Sequence, residues 1–144
     1  MTHPQAAQTQ VVNEPARSAS AFVDSIGVVT HLRYLDTAYA HYEDIVKPKL
    51  QELGVRHIRD GGRDPEFFRR LNDLATIGIH STLVMDPRDG IDPSNVISTA
   101  IAPVLPSIEA VEGPNEWDVQ PHLSYKGQPF PVGILAYANE LFQV

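Results

Sequence analysis

Apolar positions along this chain alternate between short runs that suit strands and spaced stripes that suit helices. Phe22 to His31, with Ile26, Val28 and Val29, is expected to be a buried strand. Asp36-Thr37 then stands where a helix cap belongs, and Tyr39, Tyr42, Val46, Leu50 and Leu53 recur at helical steps behind it. Pro48 should kink or divide that helix, because it has no N–H and its ring presses on the preceding turn. Gly54 suits the C-terminal cap. The second strand is Val55 to Asp60, stopped by Gly61-Gly62. Asp64-Pro65 opens a helix whose apolar stripe is Phe67, Phe68, Leu71, Leu74 and Ala75, closed by Gly78. Ile79 to Met85 is the third strand, and Asp86-Pro87 ends it. After Asp92-Pro93, the residues Val96, Ile97, Ala100, Ile101 and Val104 mark a third helix that stops before Pro106.

The fourth strand lies in Ser107 to Asp118, where Ile108 and Ala110 alternate with Glu109 and Val111 before Gly113-Pro114 halts the ladder. Val119 to Pro131 is expected to be a polar loop. Val132 to Val144 is expected to be a fourth helix on Ile134, Leu135, Ala138, Leu141 and Phe142. Strand starts thus recur at about the size of a βα unit. Each strand is followed by a helix, which implies a parallel sheet with right-handed crossovers. Polar residues gather at the carboxyl ends of the strands: His31, Arg59 with Asp60, Asp86, and Asn115 with Glu116. In α/β sheets and βα barrels that rim binds ligands.

Composition narrows the function classes. The 144 residues carry 42% apolar side chains and a formal net charge of -7. The first suits a globular core, and the second opposes non-specific binding to nucleic acid, which needs surplus Lys and Arg. No apolar run approaches the ~18 residues of a membrane span. There is no cysteine, hence no thiolate chemistry. Residues 1–21 are polar and lack the apolar core of a signal peptide, so they are expected to form a disordered arm before a domain at 22–144. The compartment is left open, extracellular if a leader lies upstream. The six histidines show no metal-ligand spacing. No glycine-rich phosphate loop or serine nucleophile elbow occurs.

The chemistry concentrates in Gly113-Pro114-Asn115-Glu116-Trp117. An amide, a carboxylate and a large aromatic at a strand's carboxyl end are what sugar chemistry uses: an acid for the glycosidic oxygen, an amide for hydroxyls, a ring face for stacking. The same residues also suit a plain strand-to-helix turn with Trp117 as core.

With four units in order, the chain resembles the first half of a TIM-barrel glycoside hydrolase of clan A, over about Ser25 to Val144. That clan ends its fourth strand in Asn-Glu, matched by Asn115-Glu116, and tends to carry an Arg at the end of the second, matched by Arg59. The resemblance implies the first four βα units of a (β/α)8 barrel and retaining hydrolysis of a β-glycoside, with no cofactor or metal. Glu116 would be the general acid/base, and Asn115 would bond the 2-hydroxyl of the scissile sugar. Arg59 would sit near the nucleophile and His31 would touch substrate. Trp117 would be either a sugar platform or core. The partner implied is an oligosaccharide or polysaccharide. The clan's nucleophile is a second Glu on the seventh strand, and a whole barrel takes about 250 residues. The chain is therefore expected to be an inactive half barrel or, alternatively, a non-catalytic carbohydrate-binding or inert remnant. Inner-face residues such as Val28, Ile58, Leu83 and Ala110 would meet water unless half barrels self-associate.

Overall fold

The computed structural model describes residues 15–120 and 122–144 as a mixed α/β fold built on a four-stranded parallel sheet. The strands are β1 (Gly27–Val29), β2 (His57–Gly61), β3 (His80–Val84) and β4 (Ile108–Glu112), in that spatial order. All neighbours are parallel, and one irregularity between Ser81 and Thr82 leaves Glu109 as an extra residue in β4. The helices are α1 (Ala19–Val23), α2 (Lys47–Leu53), α3 (Pro65–Ala75) and α4 (Val132–Leu141).

Local signals explain the helix ends. Asp64 caps α3 by accepting from Phe67 N at 2.8 Å, and Pro65 supplies a first position that needs no N–H donor. Gly54 ends α2 in the left-handed region at φ 67°. Two segments expected to be regular helices are not. Tyr42–Val46 and Ile97–Ile101 are both wide turns of π type, each ending two residues before a proline, Pro48 and Pro103. A proline ring displaces the carbonyl four residues back. A wider preceding turn makes room for it, so proline here reshapes the helix and does not merely stop it. Ala102–Val104 then closes as a 3₁₀ turn.

The expected first strand is much shorter than Phe22 to His31. Ser18 caps α1, which takes up Phe22 and Val23, so pairing begins only at Gly27. Of the expected arm, residues 1–14 lie outside the described residues, and Ala19 to Ala21 are helical. The expected loop after β4 also contains a small antiparallel hairpin, β5 (Ser124–Tyr125) and β6 (Gln128–Pro129). Its turn residues Lys126 and Gly127 both have positive φ. Against this hairpin α4 approaches so closely at Gly133 that a Cβ there would overlap the Gln128 carbonyl.

The register sorts side chains onto two faces. One face carries the rows Val28–Ile58–Ser81–Ile108 and Asp60–Leu83–Val111, packed into the core with Leu71, Leu74, Phe67 and Leu50. The other carries Gly27–His57–His80, Val29–Arg59–Thr82–Ala110 and Gly61–Val84–Glu112. The expected inner-face set is corrected by this pattern. Ile58 and Leu83, at 2% and 0% exposure, lie under the helices, and Val28 shares their face. Ala110 alone of that set is exposed on the open face. Strand parity decides it: a one-residue offset moves a side chain to the opposite side.

Candidate active site

The rim at the carboxyl ends of the strands is held by two arginine–carboxylate pairs, and these set Asn115 and Glu116. Arg59, on β2, reaches across β3 to Glu112 at the end of β4. Its Nε donates to Oε2 and its Nη2 to Oε1, both at 2.6 Å. This two-point pairing holds Glu112 ionised, its pKa lowered chiefly by the Arg59 hydrogen bonds. Arg59 Nη2 also donates to Asn115 Oδ1 at 2.8 Å. With its oxygen engaged, the Asn115 amide keeps its Nδ2 hydrogens unspent, and among the described residues nothing accepts them.

The second pair lies one strand over. Asp86 follows β3 and is 2% exposed. Its Oδ1 accepts from Arg88 N at 2.8 Å and Arg88 Nε at 2.9 Å, and its Oδ2 from Arg88 Nη2 at 2.6 Å. Asp86 also accepts from Asn115 N at 3.3 Å and Trp117 Nε1 at 3.4 Å, while Arg88 Nη2 donates to the Asn115 carbonyl. The Asn115 peptide groups are thus gripped on both sides. Glu116, next in the chain, is exposed and sits in the left-handed region at φ 54°, ψ 41°. That conformation is uncommon for a residue with a Cβ. It turns the chain so that Trp117 passes inward while Glu116 stays out.

Trp117 accordingly does not present a sugar platform. It is 2% exposed, starts the 3₁₀ turn Trp117–Val119 and belongs to the core, the second of its two sequence readings. An aromatic surface exists elsewhere on the rim. His31, just past β1, stacks on Tyr34 with ring centroids 4.6 Å apart and planes 10° from parallel, and Tyr39 meets His31 edge-on at 6.2 Å. Tyr34 is 46% exposed. The local cause is Asp60. This buried carboxylate accepts from Thr30 Oγ1 at 2.7 Å, Leu32 N at 2.9 Å and Gly61 N at 2.8 Å, pinning the chain on both sides of His31. Burial raises the pKa of Asp60, and those hydrogen bonds oppose the rise.

These residues line one cleft of about 580 Å³, whose walls include His31, Tyr34, Arg59, Asp86, Asn115 and Glu116. Four of the five residues singled out in the sequence therefore share a rim, and Trp117 lies beneath it. Pattern reading missed Tyr34, Arg88 and the pairing of Glu112 with Arg59. Tyr34 had a usable signal, an aromatic three residues past a rim histidine. Arg88 and Glu112 had none, because their roles exist only through contacts between strands. Among the described residues no cluster of three or more His, Cys, Asp or Glu side chains suits a metal ion, and no helix is long and apolar enough to cross a membrane. Set against protein-family models, curated proteins and solved structures, the chain matches none.

Proposed function

We propose that this chain is half of an eight-stranded βα barrel and that its rim is the acid/base side of a retaining β-glycoside hydrolase. The observation that carries this reading is Asn115-Glu116 at the carboxyl end of β4, with Arg59 engaging the amide oxygen so that Asn115 Nδ2–H is left to donate. In that reading Asn115 donates to a sugar hydroxyl beside the reacting carbon. Glu116 as the acid delivers its proton to the glycosidic oxygen as that bond breaks, then as the carboxylate takes a proton from the attacking water. His31 and Tyr34 offer the ring surface on which a neighbouring sugar rests.

The covalent step needs a second carboxylate about 5–5.5 Å from the first, to attack the anomeric carbon and later be released. In this reading Glu116 is one of the two, and the other is supplied from outside these four units. Without that second carboxylate the same rim would serve non-catalytic carbohydrate binding.

The two are separated by turnover. The purified 144-residue chain is expected to release little or no nitrophenol from a panel of β-glycosides, because losing a nucleophile costs many orders of magnitude in rate. It is expected to bind β-linked oligosaccharides by calorimetry, and to bind them more weakly as Asn115→Ala. Robust turnover abolished in Glu116→Gln would show that a nucleophile is present. Failure to bind any of the gluco-, xylo- and manno-configured oligosaccharides would overturn the glycoside reading.

A further inference from the structure

Three arginines reach the rim from three successive strand-end loops: Arg33 after β1, Arg63 after β2 and Arg88 after β3. They converge on a second hollow of about 360 Å³, whose other lining residues are Asp64 and Asp89. Arg33, Arg88 and Asp89 also line the cleft that holds Glu116, so the two hollows share a wall. The two hollows are therefore neighbours on the rim, close enough for one extended ligand to reach both.

The carboxylates there are already engaged. Asp64 caps α3 through Phe67 N, and Asp89 pairs with Arg33 at 2.5 Å. Arg88 is held by Asp86. Arg63 differs: its Nη1 donates to the Gly90 carbonyl, and among the described residues no carboxylate lies within ion-pairing distance of it. Asp89 thus balances Arg33 and Asp86 balances Arg88, which leaves Arg63 as the guanidinium of this lining with no ion-pair partner among the described residues. Each guanidinium has five N–H donors in a planar fork, which fits the two oxygens of a carboxylate. Arg63 spends one of its five on Gly90.

We infer that this hollow is a subsite for an acidic sugar, receiving the carboxylate of a uronic acid residue further along a glycan held at the Glu116 cleft. The inference rests on the glycoside reading above and names its substrate class. An overall negative protein repels an acidic glycan at long range, so a preference for one must come from a local cation that lacks a carboxylate of its own, as Arg63 does here.

The test is calorimetric titration of the 144-residue chain with two trimers of the same β-1,4 linkage, one of glucose and one of glucuronic acid. The glucuronic acid trimer is expected to bind at least about tenfold tighter at low salt, as a charge-assisted pair implies. That ratio should shrink in 0.5 M salt because the arginines are partly exposed, an ionic strength chosen to shorten the screening length to about 4 Å. In Arg63→Gln the ratio is expected to fall to about one, and Arg63→Lys should keep part of it. Equal binding of the two trimers by the unaltered chain would overturn the acidic subsite and leave the glycoside reading standing. An unchanged ratio in Arg63→Gln would also overturn it. Binding of neither trimer would overturn the acidic subsite, and the glycoside reading would fall with it only where the xylo- and manno-configured oligosaccharides also fail to bind.

Discussion

The two faces of the sheet are made by the same strands and differ in almost every other respect. On the covered face Ile58 and Leu83 are at most 2% exposed, and α3 closes over them with Phe67, Leu71 and Leu74. On the open face Val29 is 55% exposed, and its neighbours are charged. Those charges are paired: Arg59 with Glu112, His57 with Glu109, and Arg56 with Asp24 at the lower edge. Parallel sheets are ordinarily buried on both faces. The open face is chemically finished, its charges matched across strands, yet geometrically uncovered. Helices repeat the contrast. α3 turns Glu66 and Arg69 outward, joined by two hydrogen bonds of 2.8 Å, whereas α4 turns out Val132 and Leu135, with Phe142 just past its end. An amphipathic helix at a permanent surface does the former.

The largest effect that would break this comparison is closure of the open face. The half-barrel reading expects two copies to meet around a two-fold axis, the β1 edge of each against the β4 edge of the other. That arrangement makes eight strands and brings two Glu116 side chains to one rim. Reburying ~400 Å² of apolar surface is worth on the order of 10 kcal/mol, against an association cost of several kcal/mol. Light scattering at micromolar concentration should give twice the 15.9 kDa chain mass. Val29→Asp, on the open face of β1 at a position 55% exposed, should shift it toward monomer. A compact monomer that binds no hydrophobic dye would mean that the open face is a solvent face.

Next in size is the difference between faces within one chain. Leu83→Ala should cost about 3–4 kcal/mol, since the side chain is fully buried and its cavity cannot collapse freely. Val29→Ala should cost under about 0.5 kcal/mol in a monomer, and more only where the open face is covered. Chemical denaturation of both variants at two protein concentrations reads the contrast directly. Asp86→Ala belongs between them. It strips partners from Arg88, Asn115 N and the Trp117 indole together, and about 3 kcal/mol is expected. That is the low end for a broken buried pair, because the Arg88 side chain is 30% exposed and recovers water. Tryptophan fluorescence should redshift in the same variant, and an unshifted spectrum would mean that Asp86 does not hold Trp117 in place.

Much of this architecture was legible in the residue pattern because it rests on local rules. The four parallel strands, the Asp64-Pro65 start and the Gly54 stop follow from period, capping and backbone freedom. The rim was legible as a place, since strand ends are marked by Gly and Pro. Its wiring was not. Arg59 and Glu112 lie 53 positions apart and meet only because β2 and β4 flank β3. Trp117 was ambiguous because a single left-handed residue, Glu116, decides which way the next side chain points. The hairpin at Ser124–Pro129 had a local signal, Lys126-Gly127 between Tyr125 and Gln128, obscured by the polar character of the stretch. Face assignment failed where it depended on parity: Ile58 and Leu83 were one residue from the expected side.

The smallest effect sharpens the comparison through pH. On the open face His57 Nδ1 and Glu109 Oε2 are 2.6 Å apart, and His57 Nε2 is 3.5 Å from Asp24 Oδ1. The hydrogen bond to Glu109 is the main cause raising the His57 pKa, with Asp24 adding to it and partial burial opposing. Arg56 holds Asp24 at 2.8 Å and so offsets part of its pull on the imidazolium, and His80 is the register neighbour of His57. Folding thus favours protonated His57. Its stabilising contribution is fully present below the unfolded histidine pKa of about 6.5 and is lost as pH rises through the higher folded value. Both side chains are about 30% exposed, so the size should be under about 1 kcal/mol. Urea midpoints at pH 6 and pH 9 should therefore separate in the unaltered chain by slightly more than in Glu109→Gln, with the larger loss on the alkaline side. Cover on the open face would enlarge the difference, because desolvation removes the screening that keeps it small. An equal pH response in the two proteins would mean that the pair contributes nothing to folding.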